Sequence, residues 1–146
     1  MDKKGQYVVR YLYRNISAKD VQTLADRRKK HIEPTGPTSR VTPLEHVKGK
    51  KPSPYTSATK TKGGQIENPS GETFDNYGRV KLDLLYIDPE NILDVSTKVG
   101  QEEWGFRSAG AAPSVLQAIK DVERTQEVLI KGIIPRDAIE DLRKKE

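Results

Sequence analysis

The sequence has no cysteine, only two histidines and no long run of apolar residues. Without cysteine, disulfides, thiolate zinc sites and cysteine nucleophiles are excluded. The histidines, His31 and His46, lie in polar segments without the spacing of metal ligands. A membrane helix needs about 18 consecutive apolar residues, so we expect no membrane span. The N-terminal segment MDKKGQYVVRY also lacks the apolar core of a signal peptide.

The composition of the chain is compatible with one small globular domain. Of its 146 residues, 34% are hydrophobic and 32% are charged. A chain of this length typically forms one domain with one modest core, so we predict a single domain over residues 1–146. The net charge of +5 suits an acidic partner, a nucleic acid or a phosphate-bearing ligand. An ordinary solvated basic surface has the same charge, so charge alone assigns no function.

Short segments rich in β-branched and aromatic residues are separated by loops rich in glycine and proline. This pattern predicts strands at residues 6–14, 54–60, 79–87, 92–97 and 125–132. Apolar spacing predicts helices at residues 18–30 and 113–123, and a final helical turn or helix from residue 135 onward. Long irregular segments are predicted at residues 32–54, 62–78 and 98–112. Regular alternation of strands and helices is absent, which argues against a doubly wound fold and favours an α+β domain.

The predicted strand TQEVLIKG, residues 125–132, carries a carboxylate among apolar side chains. Val128 and Ile130 lie on one face of the strand, and Glu127 and Leu129 lie on the other. A carboxylate against apolar surface costs free energy unless something pairs with it or uses it. Glu127 is therefore a candidate functional residue. The structural alternative is an ion pair with a lysine at a sheet edge.

Three segments, in this order along the chain, carry a recognisable pattern. They are YLYRNISAKDVQTL, in which a predicted strand ends at Arg14; SPYTSATK, with Ser57 and Thr59; and TQEVLIKGIIP, with Glu127 before Val-Leu. With these segments the chain resembles the mono-ADP-ribosyltransferase toxins of the Arg-Ser-Glu type. The resemblance is closest to the C-terminal toxin domains of bacterial polymorphic (Rhs-like or contact-dependent) systems. It implies an α+β fold with a split mixed or antiparallel β-sheet core and flanking helices.

The resemblance implies a role for each matching residue, with NAD as the substrate and no metal. Glu127 would be catalytic, and Arg14 would bind a phosphate or ribose of NAD. Ser57 would support the site with Thr59 secondary, and Tyr55 would pack near the nicotinamide. The chemistry suits these residue types, because cleavage of the bond from nicotinamide to ribose builds positive charge on the sugar. A fixed carboxylate stabilises that charge, and a guanidinium can donate two parallel hydrogen bonds to a phosphate.

Two features of the motifs leave alternatives open. Arg10 shares a predicted strand face with Arg14, so either residue can be the motif arginine, although the position before the helix cap favours Arg14. Members of the family often have Glu or Gln two residues before the catalytic Glu, where it helps to select the acceptor. Here that position is Thr125, followed by Gln126. The chemistry of the acceptor therefore stays open.

The resemblance also implies a biological setting. The domain would be the C-terminal part of a larger secreted protein, delivered by a specialised secretion system into the cytoplasm of a target cell. There it would modify a protein or RNA acceptor, and a cognate immunity protein would neutralise it in the producing cell. Three hypotheses compete with this one: NAD hydrolysis without an acceptor, metal-independent RNA cleavage through His46, and non-catalytic binding by a basic face.

Overall fold

A computed structural model describes residues 9–61, 78–107 and 112–141 of the chain. The strands are β1 (Tyr11–Asn15), β2 (Tyr55–Thr59), β3 (Arg79–Asp83), β4 (Ile92–Leu93), β5 (Glu127–Lys131) and β6 (Ile139–Asp141). They form one sheet in the order β4-β5-β2-β1-β3-β6, and every adjacent pair is antiparallel. The chain is therefore an α+β protein built on an antiparallel sheet, as the sequence predicts at this level of detail.

Four helices accompany the sheet in the described part of the chain. They are α1 (Ala18–Ala25), α2 (Pro43–Val47), α3 (Lys98–Glu103) and α4 (Pro113–Thr125). The predicted capping box is present, because Ser17 accepts from the backbone N–H of Asp20 while the Asp20 carboxylate accepts from that of Ser17. None of the described helices has both the length and the apolar character that crossing a bilayer requires.

Both faces of β5 are covered by apolar side chains. On one face, Val128 and Ile130 belong to a buried cluster with Leu12 of β1, against which α1 packs. On the other face, Leu129 belongs to a second cluster with Val122 of α4. The predicted burial of Val128 and Ile130 is confirmed. Because β5 lies between β4 and β2 rather than at an edge, its first residue starts in the interior.

The pairing between β1 and β2 covers far fewer residues than the pairing of either strand with its other neighbour. The two strands pair at one position, Tyr13 with Thr59. By contrast, β1 pairs with β3 over five residues, and β2 pairs with β5 over five residues. The sheet is thus least continuous at its centre, which leaves room for a side chain of β1 to reach the backbone of β2.

Several predicted bounds differ from those observed, each for a local physical reason. The helix predicted to reach residue 30 ends at Ala25, because the Asp26 carboxylate accepts from the backbone N–H groups of Arg28 and Lys29 and forms a turn. The strand predicted over residues 92–97 is limited to β4. There the Asp94 carboxylate accepts from the backbone and side chain of Ser96, which ends the strand.

Three other predictions of secondary structure are wrong in part. The loop at 32–54 contains α2, which begins at Pro43 after a Thr42 cap, and the loop at 98–112 contains α3. The helical turn or helix predicted from residue 135 is limited to a 3₁₀ turn, Arg136–Ala138, and the chain then continues as β6. Pairing of β6 with β3 outweighs the helical spacing there. Residues 1–8, 62–77, 108–111 and 142–146 lie outside the described part of the chain.

Candidate functional site

Ser57 and Glu127 form a direct hydrogen bond between the adjacent strands β2 and β5. Thr59 pairs with Glu127 and Ser57 pairs with Leu129, so Ser57 and Glu127 are diagonal neighbours on one face of the sheet. Ser57 Oγ donates to Glu127 Oε2 at 2.8 Å. The two residues are 9% and 7% exposed. The register of β2 on β5 therefore places a hydroxyl and a carboxylate together in a nearly dry environment.

Arg14, on β1, contacts this pair where β1 and β2 lie side by side with only one paired position. Its Nη1 donates to the backbone oxygen of Ser57 at 2.8 Å, and its Nε donates to the Asp20 carboxylate at 2.8 Å. The side chains of Arg14 and Asp20 are 12% and 2% exposed. A planar guanidinium with two edges occupied is held in a fixed orientation. Among the described residues, its Nη2 has no hydrogen-bond partner.

Arg10 lies elsewhere in the structure. Its guanidinium forms a hydrogen-bonded ion pair with Asp83, with Nη2 3.1 Å from Oδ2, and its side chain is 53% exposed. The guanidinium also lies 5.0 Å from the ring centroid of Tyr11. Arg14 contacts Ser57, whereas Arg10 contacts the end of β3. Of the two candidates, the structure thus brings Arg14 to the Ser57–Glu127 pair.

His46 contacts the same cluster through a loop that sequence reasoning did not connect to it. Its Nε2 lies 2.8 Å from Ser57 Oγ, and its Nδ1 lies 2.7 Å from Ser53 Oγ. The Tyr55 ring meets the imidazole edge to face, with the ring centroids 5.9 Å apart. Ser53, His46, Ser57 and Glu127 therefore form one hydrogen-bonded chain.

The environment changes the ionisation of both titratable groups in this chain. Burial, together with the charge of Asp121, raises the pKa of Glu127 from its ordinary 4.5 to about 7. The hydrogen bond from Ser57 and the charge of Arg14 oppose this rise in the pKa. Burial, with the charges of Arg14 and Lys51, lowers the pKa of His46 to about 4. At neutral pH the imidazole is therefore uncharged, and Glu127 is poised between its two forms.

The remaining predicted site residues flank this cluster. Thr59 Oγ1 donates to the backbone oxygen of Thr125 at 2.6 Å, which ties β2 to the end of α4. The side chains of Thr125 and Gln126 both donate to backbone oxygens of α4, at Asp121 and Glu123. Neither residue has a carboxylate, so these positions place no second acidic group beside Glu127. Gln126 adopts a left-handed conformation, with φ of 56°, at the junction between helix and strand.

The structural alternative for Glu127 does not apply within the described residues. No lysine there forms an ion pair with Glu127, and the nearby Lys60 is bound to Asp94. The strand that carries Glu127 is also not an edge of the sheet. A buried carboxylate with a raised pKa and a specific hydroxyl partner is characteristic of functional sites.

The residues found by motif and those missed by it differ in one respect. Arg14, Ser57 and Glu127 lie on strands, where sequence order and alternation could suggest a shared site. His46 and Ser53 come from the proline-rich loop at 32–54, in which no periodicity predicts a contact. Asp20 was visible as a capping residue, but its second bond to Arg14 had no sequence signal.

Comparisons with known proteins add no relative. A scan against family models found no match, and searches of curated proteins and of solved structures found none either. Within residues 9–61, 78–107 and 112–141, no three His, Asp or Glu side chains are grouped as they would be around a metal ion. The function is therefore inferred from the geometry and electrostatics of the Arg14–Ser57–Glu127 cluster.

Proposed function

We propose that this protein is an NAD-dependent mono-ADP-ribosyltransferase that acts as a toxin between bacteria. One observation carries the proposal: Arg14, Ser57 and Glu127, from three separate strands, converge in one hydrogen-bonded cluster. These are the residue types of the Arg-Ser-Glu motif, in its order along the chain. The antiparallel sheet with a single residue pair between β1 and β2 is compatible with the split sheet of that family.

Each residue has a physical role in cleavage of the bond between nicotinamide and ribose. As nicotinamide leaves, positive charge develops on the ribose, and the Glu127 carboxylate stabilises it. Because Glu127 is buried, this interaction is weakly screened by water. Ser57 orients the carboxylate by donating to Oε2. Arg14 offers its Nη2 edge to a phosphate of NAD, with its orientation fixed by Asp20 and the Ser57 backbone.

This mechanism predicts a pH dependence for nicotinamide release. The acting form of Glu127 is the carboxylate, and the pKa of Glu127 is raised to about 7. We therefore expect kcat/KM to rise about tenfold per pH unit below pH 7 and to level off above it, since kcat/KM reports the ionisation of the free enzyme. Measuring initial rates of nicotinamide release from pH 5 to 9 tests this. A rate that is constant from pH 5 to 7 would contradict it.

NAD hydrolysis is the second candidate, and one observation favours it. The positions that select the acceptor in the family are Thr125 and Gln126 here, and both side chains are bound to the backbone of α4. No carboxylate from these positions is available to activate an acceptor, so water could take the ADP-ribose. The ribonuclease hypothesis is less well supported, because both ring nitrogens of His46 bind serines and its pKa is lowered to about 4.

Tracing of the ADP-ribose group distinguishes these functions. NAD labelled in the adenylate phosphate is incubated with the purified protein and a bacterial lysate, with Glu127→Gln as the matched control. Label in macromolecules supports the transferase, and its sensitivity to protease or to ribonuclease identifies the acceptor class. Label in free ADP-ribose alone supports the hydrolase. RNA cleavage without any NAD turnover would overturn both.

The biological setting remains part of the proposal. A toxin of this kind is made within a larger secreted protein and requires a cognate immunity protein in the producing cell. Such an inhibitor would act most directly by covering the Arg14–Ser57–Glu127 cluster. Co-purification of the domain with the product of the adjacent downstream gene tests this, and inhibition of nicotinamide release by that product is the expected result.

A further inference from the structure

His46 is fixed on three sides within the cluster. Its Nδ1 lies 2.7 Å from Ser53 Oγ and its Nε2 lies 2.8 Å from Ser57 Oγ, and the Tyr55 ring makes a T-shaped contact with the imidazole. The residue lies on α2, whose N-terminus is held by a capping box between Thr42 and Glu45. Two further side chains of this helix, Leu44 and Val47, pack against the second buried cluster. The imidazole therefore acts together with these apolar contacts in holding α2 on the sheet.

The ionised carboxylate of Glu127 determines the direction of each hydrogen bond that links the side chains of Ser53, His46, Ser57 and Glu127. A carboxylate only accepts, and a serine hydroxyl has one proton. Since Ser57 Oγ donates to Glu127 Oε2, the same oxygen can only accept from His46. The Nε2 of His46 must then carry the imidazole proton. Its Nδ1, without a proton, accepts from Ser53 Oγ.

We propose that His46 is a positioning residue for Glu127: by donating from Nε2 to Ser57 Oγ, it commits the single proton of that hydroxyl to the carboxylate. The inference rests on the proposed function, in which the Glu127 carboxylate acts on NAD. Without His46, the Ser57 hydroxyl can rotate about its Cβ–Oγ bond to other acceptors. The carboxylate then loses the one side-chain donor that it has among the described residues.

The electrostatic surroundings suit this role. His46 is held neutral at physiological pH, because burial and the charges of Arg14 and Lys51 lower its pKa to about 4. A neutral imidazole has one donor and one acceptor, which is what a directed chain between two serines requires. The charged groups that act on Glu127 are Asp121 of α4 and Arg14 of β1. Substitutions at His46 leave both in place, so a change at Glu127 can be attributed to Ser57.

Two substitutions separate the two hydrogen bonds of His46. In His46→Gln, the amide nitrogen can take the place of Nε2 and donate to Ser57. In His46→Asn, the amide oxygen can take the place of Nδ1 and accept from Ser53, but nothing donates to Ser57. The matched control is His31→Asn, because the His31 ring binds Glu33 instead. Each of the three variants replaces one imidazole with one side-chain amide.

The expected results differ between the two variants. In His46→Asn we expect the pKa of Glu127, followed by carbon-13 NMR of its carboxyl group, to rise by about one unit. The kcat of nicotinamide release at pH 7 should fall about tenfold, with KM unchanged. His46→Gln and His31→Asn should both stay within about twofold of wild type. In a Ser57→Ala background, His46→Asn should add no further loss. Equal losses in His46→Gln and His46→Asn, or none in either, would overturn the proposal.

A measurement on the unsubstituted protein keeps the proposal testable if a variant does not fold. At pH 9, where Glu127 is ionised, nitrogen-15 shifts should show the His46 proton on Nε2. A proton on Nδ1 would overturn the proposal, because Ser57 would then donate to His46. This result and the Glu127 titration do not depend on NAD turnover. Absence of nicotinamide release in wild type would refute the proposed function, whereas the nitrogen-15 shifts of His46 and the titration of Glu127 would still test the role of His46.

Discussion

Arg14→Ala is expected to lower the free energy of unfolding by about 3–5 kcal/mol, because it leaves a buried carboxylate without its partner. The carboxylate is that of Asp20, whose side chain is 2% exposed and which accepts from Arg14 Nε at 2.8 Å. The substitution also removes the donor to the backbone oxygen of Ser57. Urea denaturation followed by circular dichroism measures the change.

Two comparison variants show whether the lost ion pair is the cause. Arg10→Ala should remain as stable as wild type, because its ion pair with Asp83 is exposed to solvent. Arg14→Met combined with Asp20→Asn should recover most of the stability, since no buried charge is left unpaired and Asn can still accept from the Ser17 N–H. Equal stability of Arg14→Ala and Arg10→Ala would contradict the prediction. The double variant also allows NAD binding to be measured in a folded protein without Arg14.

Glu127→Gln is expected to stabilise the protein at alkaline pH and to leave its stability unchanged at acid pH. Burial raises the pKa of Glu127 from 4.5 to about 7, so between these values the folded state keeps a proton that the unfolded chain has released. Glu127 therefore costs no stability below pH 4.5 and progressively more as the pH rises through 7. Glutamine cannot ionise, so the variant should be more stable by about 3 kcal/mol at pH 8.

Urea denaturation of wild type and Glu127→Gln at pH 4.5 and pH 8 tests this difference. His46 also titrates on unfolding, since its pKa is lowered to about 4, but it does so equally in both proteins and cancels in the comparison. The control is Glu123→Gln, which changes an exposed carboxylate on α4. A Glu127→Gln variant that is less stable than wild type at pH 8 would mean that the carboxylate stabilises the fold.

The predicted stability gain bears on why Glu127 is present. A residue that weakens the fold at neutral pH is characteristic of a functional site. The surroundings of Glu127 act in the same sense: its neighbours Val128 and Leu129 are buried hydrophobics. Only Ser57 gives it a side-chain hydrogen bond among the described residues. The cost is thus not offset by a structural ion pair.

The central site was predictable because it depends on strand alternation and order. In the observed register of β2 on β5, Ser57 and Glu127 share a face. The apolar residues that follow Glu127, Val128 to Ile130, indicate that it begins a buried strand. The contact of Arg14 was suggested by its place at the end of β1. This contact also depends on the limited pairing of β1 with β2, which meet at one residue pair. No local sequence pattern reveals that feature.

The remaining features depend on contacts between distant segments. The proline-rich loop brings His46 onto Ser57, 11 residues further along the chain, through a path without periodicity. Helix α3 packs closely against the backbone of Asp94 because residue 100 is a glycine. A Cβ at this position would lie 1.8 Å from the Asp94 backbone oxygen. Likewise, β6 forms because β3 offers it an unpaired edge. Sequence patterns report local preference, and tertiary contacts override it at these positions.

Nicotinamide release from NAD by purified wild type and Glu127→Gln tests the NAD-cleaving cluster most directly. Wild type should release nicotinamide at pH 8, and Glu127→Gln should do so about 10²–10³-fold more slowly, because one preorganised electrostatic contact to the transition state is lost. Glu123→Gln should match wild type. Since Glu127→Gln is expected to be the more stable protein at this pH, a loss of rate cannot be attributed to unfolding. Equal rates in wild type and Glu127→Gln, or no release by wild type, would contradict the assignment of Glu127 as the catalytic carboxylate.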